Sequence, residues 1–418
     1  MSGKTSPAAL VFWLVPTIVF LCCGVGIWYS LSAPTPNPAS LDASIGAFIP
    51  QVTAQMLQCS RLRYAIHFAW VFLDTAFLLA FLQCGWAADL RDFVATRSRH
   101  LFARIALYVF LFTLLAVLVQ SPFTYATSFW FKHHFGLSDQ WFISWLGDWA
   151  KNIAIELAIG IPLWWLIYKA LTRFARSWPY LVFVGSIPII FALTFAAPLL
   201  IDPIFNKFEA MPQSTLRTKI ETLAATAGIA KAPIFTCDKH KQSTEINAYV
   251  SGLGPSARIV IWDTTLQKLP DDQTLSVVAH EIGHYVLKHV YWGCAIAVAC
   301  SLLLLPVNIF LTPRIFENLP AAWKITKLDD IAGIPFVILC STLVSFASEP
   351  IVNGYSRSVE HEADMFGLNL TKDGPSMART FASLSRENLS EPCPPAFIEF
   401  WLFSHPSLGA RIQSVMKK

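Results

Sequence analysis

The stretch Ala279-His280-Glu281-Ile282-Gly283-His284-Tyr285 sets two imidazoles and a carboxylate at H-E-x-x-H spacing. It lies in a segment that reads as helix from Asp271 to His289. Positions i and i+4 of a helix share a face, so His280 and His284 can point at one metal ion, and Zn²⁺ is the usual occupant. Glu281, beside the first histidine, can take a proton from a water that the metal has made acidic. Ten histidines in 418 residues leave room for a helix that merely carries two of them. The context argues against that. Asp271 and Asp272 follow Pro270, which suits a helix start, and Val277, Val278, Ile282 and Tyr285 supply an apolar face.

A hydrolytic zinc site needs a third protein ligand and one open position. Arg357-Ser358-Val359-Glu360-His361-Glu362-Ala363-Asp364-Met365-Phe366-Gly367 clusters four candidates, Glu360, His361, Glu362 and Asp364, on an expected helix. Glu360 and Asp364 share a face. One could bind metal while the other holds a ligand histidine in its tautomer. Spacing alone does not choose between them, nor against a solvated charged helix.

The elements that must position these groups are apolar. Hydrophobic residues make up 55% of the chain and charged residues 14%, with 15 Trp and a mean hydropathy of +0.50. That composition is a multi-span membrane protein, and a net charge of +4 is too slight and dispersed to suggest nucleic acid. Seven spans are expected, near residues 9–31, 64–86, 102–121, 152–172, 178–200, 291–312 and 332–352. The first reads as a retained span, because its apolar core exceeds that of a signal peptide. A Pro/Ser-rich linker runs from Ser32 to Ala54, and its Ala33 to Pro38 run should be extended. The nine cysteines lack C-x-x-C spacing, so no disulfide framework is expected. Asp74 and Glu156 fall inside spans, where a carboxyl faces either a partner or a wet cavity. His133 and His134 are adjacent, so on regular structure they point apart and make a poor ligand pair.

Two polar stretches interrupt the spans. Residues 201–290 read as a helix from Gln213 to Gly228, a strand at Pro233 to Thr236, and a hairpin from Ala248 to Trp262 turning at Gly252-Leu253-Gly254-Pro255. The H-E-x-x-H helix follows. Residues 353–418 form the second. The expected organisation is residues 1–200 for five spans, 201–290 for the first protease part, 291–352 for two more spans, and 353–418 for the second protease part. The fold class is mainly α, multi-pass, with a zincin-like α+β protease domain carrying a small β-sheet.

The chain resembles the CaaX prenyl endoproteases, membrane zinc metallopeptidases of the gluzincin type, and more distantly the HtpX proteases. The motifs that carry this are Lys132-His133-His134-Phe135-Gly136, Pro203-Ile204-Phe205-Asn206-Lys207-Phe208, Asn247-Ala248-Tyr249-Val250-Ser251-Gly252, Asp263-Thr264, H-E-x-x-H, Glu360 to Asp364, and His405-Pro406 with Arg411. The loop at Lys132 is altered from the family pattern, and Ser407 stands where the family often has a second proline.

The resemblance implies one Zn²⁺ on His280, His284 and Glu360, with Asp364 as its outer partner. Glu281 would be the general base, His405 an oxyanion donor, and Arg411 a residue that orders the site. Asn247 and Ala248 would lie on an edge strand that receives the substrate as an added strand. It also implies a large wet chamber enclosed by the helices, and peptide or protein substrates, prenylated or membrane-associated. The expected setting is the lipid bilayer: an inner membrane if the source is bacterial, the endoplasmic reticulum if eukaryotic. The competing classes are a quality-control protease of the HtpX type and a non-enzymatic transporter or scaffold with structural zinc. The second would normally close its site with a fourth ligand, often Cys, and none stands beside either motif.

Overall fold

An apolar chain in a bilayer must satisfy its own backbone polar groups, and helices do so within one segment. The computed structural model describes residues 7–34, 45–252 and 257–417. Residues 35–44 of the Pro/Ser-rich linker lie outside them. The long helices are α1 (Pro7–Ser32), α2 (Ala54–Gln83), α4 (Leu101–Thr124), α5 (Phe142–Arg173), α6 (Trp178–Leu200), α9 (His289–Pro306) and α10 (Ile334–Thr371). Each belongs to one of seven stretches among the described residues that are long and apolar enough to cross a membrane. Several outrun the apolar windows: the third continues through a π-helical turn at Tyr125–Trp130 to His134.

Between α2 and α4, α3 (Trp86–Arg97) runs on the side of the spans away from the sheet. There Tyr108, Trp323, Ile334 and Leu82 form the largest buried cluster. Arg91 reaches Asp330 at 2.5 Å and fastens that layer.

The polar segment folds on the other side. It contains α7 (Thr215–Thr226) and α8 (Asp271–Val286). Its sheet holds β1 (Phe208–Ala210), β2 (Ile234–Cys237), β3 (Ala248–Ser251) and β4 (Arg258–Trp262) in the order β1-β2-β4-β3. β3 and β4 pair antiparallel with Ala248 opposite Ile261, as the hairpin pattern requires. The turn residues 253–256 lie outside the described residues. β2 runs parallel to β4, and β3 is left at the edge. Ile220, Ile259, Ile261, Val278 and Ile282 bury α7 and α8 against the sheet.

One element joins the two halves. α10 has 38 residues, about 57 Å at 1.5 Å per residue, against an apolar bilayer core of about 30 Å. It continues through position 352, with Pro350 inside it, so the last span and the Glu360–Asp364 pair share one helix. Lys372, at φ 55°, ends it, and α11 (Gly374–Glu387), α12 (Ala396–Leu402) and α13 (Leu408–Met416) follow.

The nine cysteines are all free. Asp74 accepts hydrogen bonds from Gln120 (3.2 Å) and Thr342 (3.0 Å), so it ties three helices together. It also lines a cavity of about 620 Å³ among the spans, together with Glu349 and Ser345. Glu156 is exposed.

Candidate metal centre

α8 starts at Pro270, with Asp271 and Asp272 in its first turn, where carboxylates favour the helix dipole. Asp272 also accepts from Ser376 and Arg379 of α11, which fixes the helix in place. α8 crosses α10 at two glycines. A Cβ on Gly283 would lie 3.2 Å from the carbonyl oxygen of Ala363, and one on Gly367 would lie 3.1 Å from the amide nitrogen of His280. Glycine at both positions lets the backbones meet this closely without that pressure.

The crossing sets Glu360 against both histidines. Its Oε2 is 3.2 Å from His280 Nε2 and its Oε1 is 3.3 Å from His284 Nε2. The two Nε2 atoms are 3.1 Å apart. Behind them, His280 Nδ1 lies 2.8 Å from Asp364 Oδ1 and His284 Nδ1 lies 3.0 Å from His289 Nδ1. A proton on each Nδ1 satisfies both contacts, and it leaves two Nε2 lone pairs and a carboxylate converging on one point. Glu360 Oε2 is buried and accepts no hydrogen bond among the described residues. Such a cluster of acceptors needs a cation. A tetrahedral Zn²⁺ with bonds of about 2.0–2.1 Å has ligand-to-ligand edges of about 3.3 Å, so the donor set fits this metal.

Electrostatics say the same. Burial works against a charge on His280. The Asp364 and Glu360 carboxylates outweigh it and lift the imidazole to about 9. Asp364 acts at Nδ1 and Glu360 at Nε2, so it is Glu360 that would draw a cation to Nε2. Arg411 grips Asp364 with two bonds, Nε to Oδ2 (2.8 Å) and a terminal nitrogen to Oδ1 (2.7 Å). Both side chains are buried, and Asp364 is thereby held at the angle that orients His280.

The open side of the cluster faces a cavity of about 490 Å³ lined by His280, Glu281, His405 and Asn247. Glu281 Oε1 is 4.0 Å from His280 Nε2. Its carboxylate has no hydrogen bond among the described residues, and burial raises its pKa. His405 sits in the α12–α13 connection with Nε2 3.3 Å from Glu360 Oε2, while Ser404 Oγ lies 2.9 Å from its Nδ1. Desolvation in the cleft lowers its pKa. Asn247 lies at the cavity rim, and its backbone oxygen accepts from Thr265 Oγ1 (2.6 Å) and Trp262 N (3.2 Å). Ala248 follows on the edge strand, buried and outside the cavity lining.

All nine residues singled out in the sequence therefore gather at or beside one cavity. His133 is engaged in structure, its ring nitrogens at 2.8 Å from Phe129 O and 2.9 Å from Gln140 O. Sequence reasoning gave His289 no role, and weighed Glu362 as a metal ligand where the structure sets its Oε2 3.5 Å from His289 Nε2. The available signal was the histidine five positions beyond His284. It was hidden because the chain bends between them, at Lys288 with φ 60°.

Two family models match the chain. One, described as Peptidase family M48, covers residues 210–418. The other, CAAX prenyl protease N-terminal, five membrane helices, covers residues 42–207. The chain is 30% identical to the Bacillus subtilis (strain 168) protein called uncharacterized metalloprotease YhfN, over 94% of this chain and 93% of that one. It is 26% identical to CAAX prenyl protease 1 of Saccharomyces cerevisiae, over 79% of this chain and 76% of that one. Among solved structures, the crystal structure of S. mikatae Ste24p superposes with a TM-score of 0.84 at 22% identity, covering 99% of this chain and 100% of that one.

Proposed function

This chain belongs to peptidase family M48 and is a multi-pass membrane metallopeptidase, and from that premise we propose that His280, His284 and Glu360 hold one Zn²⁺ with which it cleaves peptides reaching it from the bilayer. The observation that carries this reading is the cluster of two Nε2 atoms 3.1 Å apart, each within 3.3 Å of one oxygen of the Glu360 carboxylate, with His280 lining the cavity. Bound zinc supplies Lewis acidity that makes a water nucleophilic near neutral pH and polarises the scissile carbonyl.

The protein's own residues do the rest. Glu281 Oε1 takes the proton from the attacking water and delivers it to the leaving amine, a transfer that suits a carboxylate whose pKa burial has raised. His405 donates from Nε2 to the carbonyl oxygen as negative charge develops there. Asp364, fixed by Arg411, keeps the His280 proton on Nδ1. Asn247 and the strand edge that begins there align the peptide backbone as an added strand.

The substrate class is C-terminal segments of prenylated proteins, supported by the similarity to CAAX prenyl protease 1 of Saccharomyces cerevisiae. The cavity among the spans, mostly apolar in its walls but carrying Asp74 and Glu349, offers space within the membrane for such a segment. The test is cleavage of matched farnesylated and unprenylated peptides by purified protein. A chelator should abolish turnover and added zinc restore it. Glu281→Gln should retain zinc and lose about 10²–10⁴-fold in kcat. Cleavage that survives metal removal would overturn the reading, and equal use of both peptides would overturn its prenyl part.

A further inference from the structure

The cavity has a second wall that takes no part in this chemistry. It is built from the N-terminal half of α2 and the connection between α11 and α12. Ser60 Oγ donates to Leu389 O (3.1 Å) and accepts from Glu391 N (2.9 Å). The Arg63 guanidinium donates to Asn388 O (3.2 Å), and Asn388 Oδ1 accepts from Ile246 N (3.2 Å). The connection is thus pinned both to α2 and to the strand edge. Leu389 is held at φ 47°, and the two residues after it, Ser390 and Glu391, line the cavity.

Glu391 is only 3% exposed. Among the described residues its carboxylate has no ion pair and accepts no hydrogen bond. Arg61 is turned toward the carbonyl oxygens of Leu31 and Ala33, and Arg63 toward Asn388 O and Ser390 Oγ. A buried carboxyl with no partner is costly to ionise, and burial pushes this one up to about 7. What would complete it is a cation on a long apolar stem. Tyr64 and Phe403, with ring centroids 5.8 Å apart, line the same cavity. They offer apolar walls to such a stem and ring faces to its charge.

We propose that Glu391 is the base of a specificity subsite that accepts a lysine or arginine side chain of the peptide bound in this cavity. The proposal rests on the peptidase reading and adds a residue class to it. An acidic side chain would meet a like charge there, and an apolar one would leave the carboxyl unpaired, so both are disfavoured.

The experiment walks a single lysine through the positions flanking the cleaved bond, with norleucine and glutamate counterparts. It uses the full-length protein and its Glu391→Gln and Glu391→Lys variants. At one position the parent should favour lysine over norleucine by about tenfold or more in kcat/KM. Glu391→Gln should bring that ratio to parity, and Glu391→Lys should turn the preference toward glutamate. A second readout is independent of turnover: affinity of the same peptides for Glu281→Gln, by fluorescence anisotropy, with and without Glu391→Gln. No lysine preference at any position, or a preference that survives Glu391→Gln in both readouts, overturns the subsite. Continued cleavage would then leave the peptidase reading standing. If no peptide is cleaved, the peptidase reading falls and the anisotropy ratio alone decides on Glu391.

Discussion

His284 Nδ1 and His289 Nδ1 lie 3.0 Å apart across the bend that separates α8 from α9. Their rings meet edge to face with centroids 5.1 Å apart. His289 is buried and within ion-pair reach of Glu362. His284 is therefore backed by an imidazole and a carboxylate in series, as His280 is backed by Asp364 and Arg411. Each supporting group holds its ring with Nε2 turned inward.

Removing the support should loosen the metal. Such outer partners are typically worth 10–100-fold in metal affinity. His289→Ala is expected to raise the apparent zinc Kd by about that factor, read by competition with a chromophoric chelator. An unchanged affinity would mean that His284 is oriented without His289.

The Asp364–Arg411 pair is buried on both sides. Taking away one partner strands the other's charge, at a cost of about 3–5 kcal/mol. Arg411→Met should thus lower the melting temperature clearly, and it should weaken zinc binding as His280 loses its fixed support. Thermal denaturation in detergent, with metal content measured on the same sample, checks both effects.

A methyl group at Gly367 would press against the His280 backbone at 3.1 Å. Gly367→Ala should push α10 from α8 and cost about 1–3 kcal/mol. Because Glu360 rides on α10 and the histidines on α8, zinc affinity should fall too. A variant with full affinity and parental stability would show that the crossing adapts more easily than its backbone contacts suggest.

Glu391 gives the apo protein a pH dependence with a definite sign. Burial raises its carboxyl to about 7, and Arg61, the charged group that opposes this, is the smaller influence. The folded state therefore binds the proton more tightly than the unfolded chain. The resulting stability is complete below the ordinary carboxylate range and is lost as pH rises through about 7. Melting temperature should fall more steeply for the parent than for Glu391→Gln between about pH 5 and pH 8. Parallel slopes would remove Glu391 as the cause.

The sequence by itself determined the membrane class, the seven spans and the H-E-x-x-H pair. Hydropathy and i,i+4 spacing are local properties, and a helix converts them directly into geometry. It also showed that Glu360 and Asp364 share a face of one helix. It could not say which would meet the metal site, since helical phase does not reveal where along that face a distant helix crosses. The tertiary structure decided this at the Gly283–Gly367 contact, which sets Glu360 before the Nε2 atoms and Asp364 behind one ring. His289 and Glu391 were illegible for a related reason. Each is placed by a left-handed residue, Lys288 or Leu389, whose side chain gives no sign of that backbone conformation.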